Sequence, residues 1–384
     1  MYRNLCLLMF VVLCGTTQVA SQNPLFSPAP GSPVVVGEGS GQVVLVDVNG
    51  DGQLDLVTRH LLQRVINVQL GDGTGRFVAA AGSPITLAYR PGDIKLADLN
   101  GDKIPDLGVS HSERDAVDIF FGDGKGGFKL AAGSPSTVSN DNSSFTRGLL
   151  FVDLNEDGIL DIVTTNRNQN TFATLVSNGR GGFSPGPRTS FRADLEDYAF
   201  AIGDLDGDGH LDVVVASGER GSRSAPGRVV IQRGNGKGDF KETSAADLSI
   251  PLGARRVTLG DVNGDQRLDL IITHSNRLLS VMLNRGNGNF TPAPASPYSL
   301  ETEAYDIAIA DVNHDQKGDL IAATVQSVTI LLGQNGGFTP SPGSPFRAGP
   351  GAYHLTLGDI NKDGKLDIAA ASFEGNAITL LLGR

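Results

Sequence analysis

The chain contains no tryptophan and three methionines, and aromatic residues make up 6% of it. A core with so few large rings must be assembled from many small aliphatic and β-branched contacts. Cysteine is nearly absent: Cys6 and Cys14 are the two in the chain, and both precede residue 22. A disulfide scaffold, a cysteine nucleophile and a cysteine-based zinc site are therefore excluded from the remainder. Amphipathic stretches of helical period are missing, which argues against a helical bundle. There is no excess of basic charge, since 31 Lys and Arg face 42 Asp and Glu for a formal charge of −11. The electrostatic footprint of a nucleic-acid binder is thus lacking.

Long apolar runs are also missing. The run Leu5 to Leu13 spans nine residues, too short to cross a bilayer, and follows Arg3. It fits the core of a signal peptide, with Val19-Ala20-Ser21 supplying small residues for cleavage before Gln22. Residues 1–21 are read as a signal peptide and residues 22–384 as one folded unit, secreted, extracellular or periplasmic. Lipoprotein anchoring at Cys14 fits less well, because Val11-Val12-Leu13 lacks the small residue expected before a lipidated cysteine. Cleavage before Gln22 leaves a chain without thiols, whose stability must come from β packing and bound metal.

What the chain has in abundance is glycine, 50 residues, and one acidic nonapeptide repeated seven times. Oxygen-bearing side chains recur at positions 1, 3, 5 and 9. The seven sets are Asp47, Asn49, Asp51 and Asp55; Asp98, Asn100, Asp102 and Asp106; Asp153, Asn155, Asp157 and Asp161; Asp204, Asp206, Asp208 and Asp212; Asp261, Asn263, Asp265 and Asp269; Asp311, Asn313, Asp315 and Asp319; and Asp359, Asn361, Asp363 and Asp367. Such a donor set suits a hard cation, Ca²⁺ above all, so up to seven ions are expected. Three unpaired carboxylates in nine residues would otherwise repel one another. Seven Ca²⁺ would also more than offset the net negative charge, taking the chain without its first 21 residues from −12 to about +2, so the acidity is mostly ligand charge and not an acidic docking surface. An EF-hand is excluded. Its twelfth position needs Glu, and here that place holds Thr58, Val109, Thr164, Val215, Ile272, Ala322 and Ala370.

Position 6 distinguishes the loops. Gly52, Gly158, Gly209 and Gly364 suit a left-handed turn, whereas Lys103, Gln266 and Gln316 occupy that place elsewhere. The sites at 98–106, 261–269 and 311–319 are expected to bind more weakly.

The loops start 51, 55, 51, 57, 50 and 48 residues apart, a period that signals a repeat architecture. Each unit follows one script. An apolar strand such as Val43 to Val46 enters the loop and a β-branched strand such as Asp55 to Thr58 leaves it. An alternating strand such as Ile66 to Leu70 follows. A glycine turn then ends in phenylalanine, as in Gly71 to Phe77 or Gly122 to Phe128. A short fourth strand leads to Gly-Ser-Pro at 82–84, 133–135 and 343–345. Four antiparallel strands per unit, repeated radially, predict an all-β fold, a seven-bladed β-propeller of four-stranded blades. The last unit ends at its third strand, and Phe26 to Pro33 copies Phe338 to Pro345. The N-terminal segment is therefore expected to complete the last blade and close the ring.

The acidic loop, the Asp-Leu strand after it and the glycine turn before phenylalanine resemble FG-GAP/VCBS repeats, those of the integrin α-chain propeller and many secreted bacterial proteins. The resemblance covers about residues 24–384. It implies that each loop joins the two inner strands of a blade and binds Ca²⁺ on one face of the disc. The side chains at positions 1, 3, 5 and 9 and a main-chain carbonyl at position 7 would be the ligands.

Other features carry less chemistry. Gly122, Gly124 and Gly127 have dinucleotide-loop spacing but precede a strand, not a helix, and read as a hairpin turn. Arg90-Pro91-Gly92-Asp93 is no adhesion tripeptide, because Pro91 interrupts it. Asn142 and Asn289 head glycosylation sequons. Five residues past each loop stand His60, His111, Asn166, Ser217, His274, Thr324 and Ser372, with Arg114, Arg167, Arg220, Arg223 and Arg277 nearby. They are expected to form a polar, partly cationic face opposite the metal loops, with Arg220 and Arg223 suited to an acidic glycan. The reading is a non-catalytic, adhesion-type binding module. Its expected partner is an extracellular protein or glycan, with no nucleic acid and no membrane span, and its expected state is a monomer. The alternative is a lectin or a polysaccharide lyase or hydrolase on the same fold.

Overall fold

A computed structural model describes residues 23–138, 146–166, 171–190, 195–219, 226–334 and 337–384. Residues 1–22, with both cysteines, lie outside the described residues. All regular structure among the described residues is β, in seven antiparallel sheets arranged as a ring. Blade one holds Ser40–Val46, Asp55–His60, Val65–Gly71 and Phe77–Ala79, hydrogen-bonded in that order. The same order recurs in every blade, from Pro91–Ala97 at the start of the second to Ala352–Gly358 at the start of the seventh.

Strand alternation drives this assembly. Each blade buries both faces of its middle strands, so cores form between neighbouring blades. Val57, Ile66 and Val68 of blade one pack on Ile94, Leu107 and Val109 of blade two. Phe172 and Val163 of blade three meet Val213 and Val215 of blade four. Val43 and Leu56 of blade one meet Ile378 and Leu380 of blade seven, which closes the circle. Seven separate apolar clusters serve the seven interfaces.

Closure follows the expected route. Phe26–Pro28 pairs antiparallel with Ala377–Gly383, setting Phe26 opposite Gly383 and Pro28 opposite Leu381. Phe26 is 2% exposed and meets Phe346 edge-on at 5.7 Å. The outer strand is broken by the Gly-Ser-Pro element, after which two residues pair again with the third strand, as Val34–Val35 does in blade seven. The Ser-Pro peptide is cis at Pro33, Pro84, Pro135, Pro297 and Pro345. In each case the serine hydroxyl accepts a third-strand amide: Ser32 from Leu380, Ser83 from Val68, Ser134 from Ile119, Ser296 from Val281 and Ser344 from Ile330. Residues 26–35 thus behave as an outer strand copied from the other blades. Blades three and four depart from this pattern, with longer fourth strands Phe183–Ser190 and Phe240–Ile250.

Phe26→Ala should cost about 3–5 kcal/mol, because it empties a closed aromatic site and loosens the strand that completes blade seven. Equilibrium urea unfolding measures this, and a loss below about 1 kcal/mol would mean that the ring closes without that strand.

Candidate metal loops and the central channel

Each acidic loop joins the first and second strands of a blade, so all seven open on one face of the ring. Their internal geometry is uniform. The position 1 carboxylate folds back over the turn: Asp47 Oδ2 accepts the Gly52 amide at 2.7 Å, and Asp261 Oδ2 accepts that of Gln266 at 2.7 Å. Position 3 accepts the amide of position 5, as Asn49 Oδ1 does from Asp51 at 3.0 Å. Position 5 accepts the amide of position 7, as Asp51 Oδ1 does from Gln53 at 2.7 Å.

Position 9 is different. Asp55, Asp106, Asp161, Asp212, Asp269, Asp319 and Asp367 are all fully buried. One oxygen of each takes the position 2 amide, and the other takes an amide at the end of the third strand. For Asp55 these are Val48 at 2.9 Å and Gly71 at 2.8 Å, and for Asp367 they are Ile360 and Gly383, both at 2.8 Å. A Cβ at Gly71 would lie 2.2 Å from the Leu54 carbonyl, so glycine is required for that approach. Burial raises the carboxyl pKa at all seven places, against the opposing pull of the two amides, and takes Asp269 to about 6. The ninth residue therefore ties the loop to the sheet, a role its spacing alone did not reveal.

The turn makes a second demand that was missed. Position 6 is left-handed throughout, including Lys103, Gln266 and Gln316, but so is position 4. There Gly50, Gly101, Gly207 and Gly264 are accompanied by Glu156, His314 and Lys362. Loop six alone carries non-glycine residues at both places, His314 and Gln316, and concentrates the strain.

Among the described residues, the one group of three acidic side chains whose oxygens all lie within 4.8 Å of one another is Asp204, Asp206 and Asp208. Arg233 Nη1 sits 2.7 Å from both Asp206 and Asp212 there, so loop four has an internal counter-charge. The donor set of every loop is oxygen alone. In most loops each buried position 9 oxygen accepts a single amide and keeps a further lone pair, Asp212 Oδ2 being shared with Arg233, so the residues fit a hard cation chemically.

The opposite face corrects one expectation. His60, His111 and His274 are fully buried and are not offered to a ligand. His60 Nδ1 donates to the Glu38 carbonyl at 3.1 Å, leaving Nε2 to accept from Thr58. His274 likewise donates to Leu252 and accepts from Ser280. Burial lowers the pKa of both rings, which stay neutral turn-closers. Thr324 and Ser372 do the same work with hydroxyls, donating to Ser327 and Pro350. Ser217 is buried as well. The Asn166 side chain, Arg167, Arg220 and Arg223 lie outside the described residues, as does Asn142. Arg277 and Asn289 are exposed, and Arg114 lies over the Tyr89 ring at 4.8 Å.

The polar surface instead leads inward. The first strands of all seven blades surround a central channel of about 740 Å³. Its charged lining is Arg59, Asp93, Lys95, Arg255, Arg256 and His354. These residues interrupt strands that are otherwise apolar or small. At the mouth opposite the metal loops, Arg255 lies over Tyr305 at 4.2 Å and Tyr305 stacks on Tyr353 at 4.4 Å. Deeper in, Arg256 pairs with Asp306 at 2.9 Å. Burial, the largest single influence, would raise Asp306, but Arg256, His354 and the Leu355 and Ile307 amides together hold the carboxyl below its usual range. Burial takes His354 down to about 4, so that ring is neutral.

An FG-GAP-like repeat model matches residues 47–109, 98–164, 153–215, 217–272, 261–322 and 311–370. No curated protein matches the sequence. Among solved structures, BBS1N in complex with ARL6DN, from crystals soaked with mercury, aligns at TM-score 0.61 and 14% identity over 94% of this chain and 97% of that one. An Agrocybe aegerita lectin, described as recognising non-reducing terminal N-acetylglucosamine, aligns at TM-score 0.56 and 16% identity over 89% of this chain and 87% of that one. At these identities the likeness bears on the fold alone.

Two expected outcomes follow from the loops. In calcium-free buffer, Asp55→Ala should cost about 2–5 kcal/mol by stranding two buried amides, while exposed Asp51→Ala should change stability by about 0.5 kcal/mol or less. Comparable losses in urea unfolding would remove the distinction. Replacing His314 and Gln316 together by glycine should stabilise by about 1 kcal/mol, the relief of left-handed strain exceeding the added chain entropy. Destabilisation in the same assay would show that these side chains contribute more than they strain.

Proposed function

The chain belongs to the FG-GAP-like repeat family, and from that premise we propose that it is a calcium-loaded binding module, without catalysis of its own, acting outside the cytoplasm on a protein or glycan. The observation that carries this reading is the sevenfold loop. Oxygens of positions 1, 3 and 5 crowd one turn, and the position 9 carboxylate links that turn to the third strand. A cation bound there would neutralise the crowded carboxylates and stiffen the inner half of each blade. Positions 1, 3, 5 and 9 would hold it, with the loop six site weakest because its backbone is the most strained. Binding, not catalysis, is the proposed role: His60 and His274 close turns, His111 faces Asp118 at 3.1 Å, and the position 9 aspartates clamp strands.

The partner surface is the face away from the metal loops, where the channel opens and the turns between second and third strands lie. A glycan-binding role is the more specific second reading, and the fold of the lectin neighbour supports its feasibility.

Extracellular calcium modules bind with Kd of about 10⁻⁴–10⁻³ M. At tenfold excess each site would add roughly 1.4 kcal/mol, so several filled sites rival a whole domain's stability. Adding 5 mM Ca²⁺ to EDTA-treated protein should raise the melting temperature by about 10 °C or more. An unchanged melting curve, with no calcium retained on equilibrium dialysis, would rule the metal reading out.

A further inference from the structure

The central channel holds a feature that neither the fold nor the metal loops require. Of its lining side chains, Arg59, Lys95, Arg255 and Arg256 are cationic and Asp93 is the one carboxylate. Asp93 is already committed: Oδ1 accepts from Gln42 Nε2 and the Ile94 amide, and Oδ2 from the Leu149 amide of the next blade. Asp306, the partner of Arg256, is withdrawn behind the wall with 7% side-chain exposure, while Arg256 keeps 43%. Arg256 stands on an innermost strand and lines the channel, so that exposure is to the lumen. Arg255 is held at the mouth by Glu303 at 2.9 Å and by the Tyr305 ring. Lys95 has no hydrogen bond or ion pair among the described residues. The near-neutral His354 ring adds no charge. A positive lumen thus runs through a chain of net charge −11. Low-dielectric walls focus such a field and attract small anions.

The walls narrow the class further. Leu150, Ala201, Ile202, Leu259 and Ile307 line the same channel beside the charged groups. An inorganic ion would gain nothing from them, whereas an organic anion buries its carbon frame there. We propose that the central channel is a binding site for a small organic carboxylate, entering from the face away from the acidic loops, with its charge on Lys95 and Arg256 and its frame against the aliphatic wall. Arg59 and Arg255 at the entrance draw the anion in. The inference extends the binding-module reading to a definite site and does not depend on the metal.

The test uses the full chain at 5 mM Ca²⁺, with benzoate and galacturonate as probes and benzyl alcohol and galactose as their neutral counterparts. Titration by ligand-observed NMR should give saturable binding of at least one carboxylate and none of its neutral counterpart. Lys95→Gln should weaken that binding by about tenfold and leave the melting temperature unchanged, because the lysine has no partner to lose among the described residues. Lys95→Arg should retain it. The proposal is overturned if neither carboxylate binds, if a neutral counterpart binds as tightly, or if Lys95→Gln binds as the parent does. Because calcium is present throughout, failure here leaves the melting experiment on the metal loops to stand or fall on its own.

Discussion

Seven buried carboxylates hold this molecule in register. Each position 9 aspartate accepts one amide from the loop that precedes it and one from the end of the third strand, and so fastens the inner half of its blade to the outer half. The bond geometry explains several other features. Gly71 is small because the strand must approach the Leu54 carbonyl. The loop turns left-handed at positions 4 and 6 because the position 1 carboxylate must reach the position 6 amide. The cost of burying an anion is offset only in part by two amides, so burial still raises each carboxyl pKa. A cation beside the loop would complete that compensation.

The blades then depend on one another and not on a single centre. Apolar clusters lie between neighbours, built mostly of aliphatic side chains with a few phenylalanines, and the ring is complete only when Phe26–Pro28 fills the edge of blade seven. A closed ring of this kind leaves a channel along its axis. In an exact repeat the channel lining would be sevenfold. It is not: at the fifth place before each loop stand Gln42, Asp93, Gly148, Ala199, Arg256, Asp306 and His354. Where the repeats agree they build the scaffold, and where they differ they leave room for recognition.

Much of this was legible in the sequence, for local reasons. The acidic loop and glycine turn are contiguous, and their period counts the blades. The likeness of Phe26 to Pro33 with Phe338 to Pro345 reveals the closing strand, because both segments solve the same edge problem. What was not legible depends on convergence. Position 9 looks like a ligand and nothing more until the third-strand amide that it also holds is seen, 14 to 22 residues later in the chain. His60 and His274 look like surface groups until the carbonyls of Glu38 and Leu252, each 22 residues earlier, close over them. The channel cations come from different blades and meet only when the ring forms. One signal was available: Asp93 and Lys95 before loop two, Arg255 and Arg256 before loop five and Asp306 before loop six place charges in first strands that are otherwise apolar or small.

The account's central claim is that the position 9 clamp is intrinsic to each blade and that the cation acts on the turn above it. Residue-resolved hydrogen exchange in EDTA and in calcium tests this directly. The amides held by the clamp, such as Val48 and Gly71 in blade one and Ile360 and Gly383 in blade seven, should be protected in both conditions. The turn amides of Gly52 and Gly364 should gain protection only with calcium. Rapid exchange of the clamp amides in EDTA, or turn amides indifferent to calcium, would contradict it.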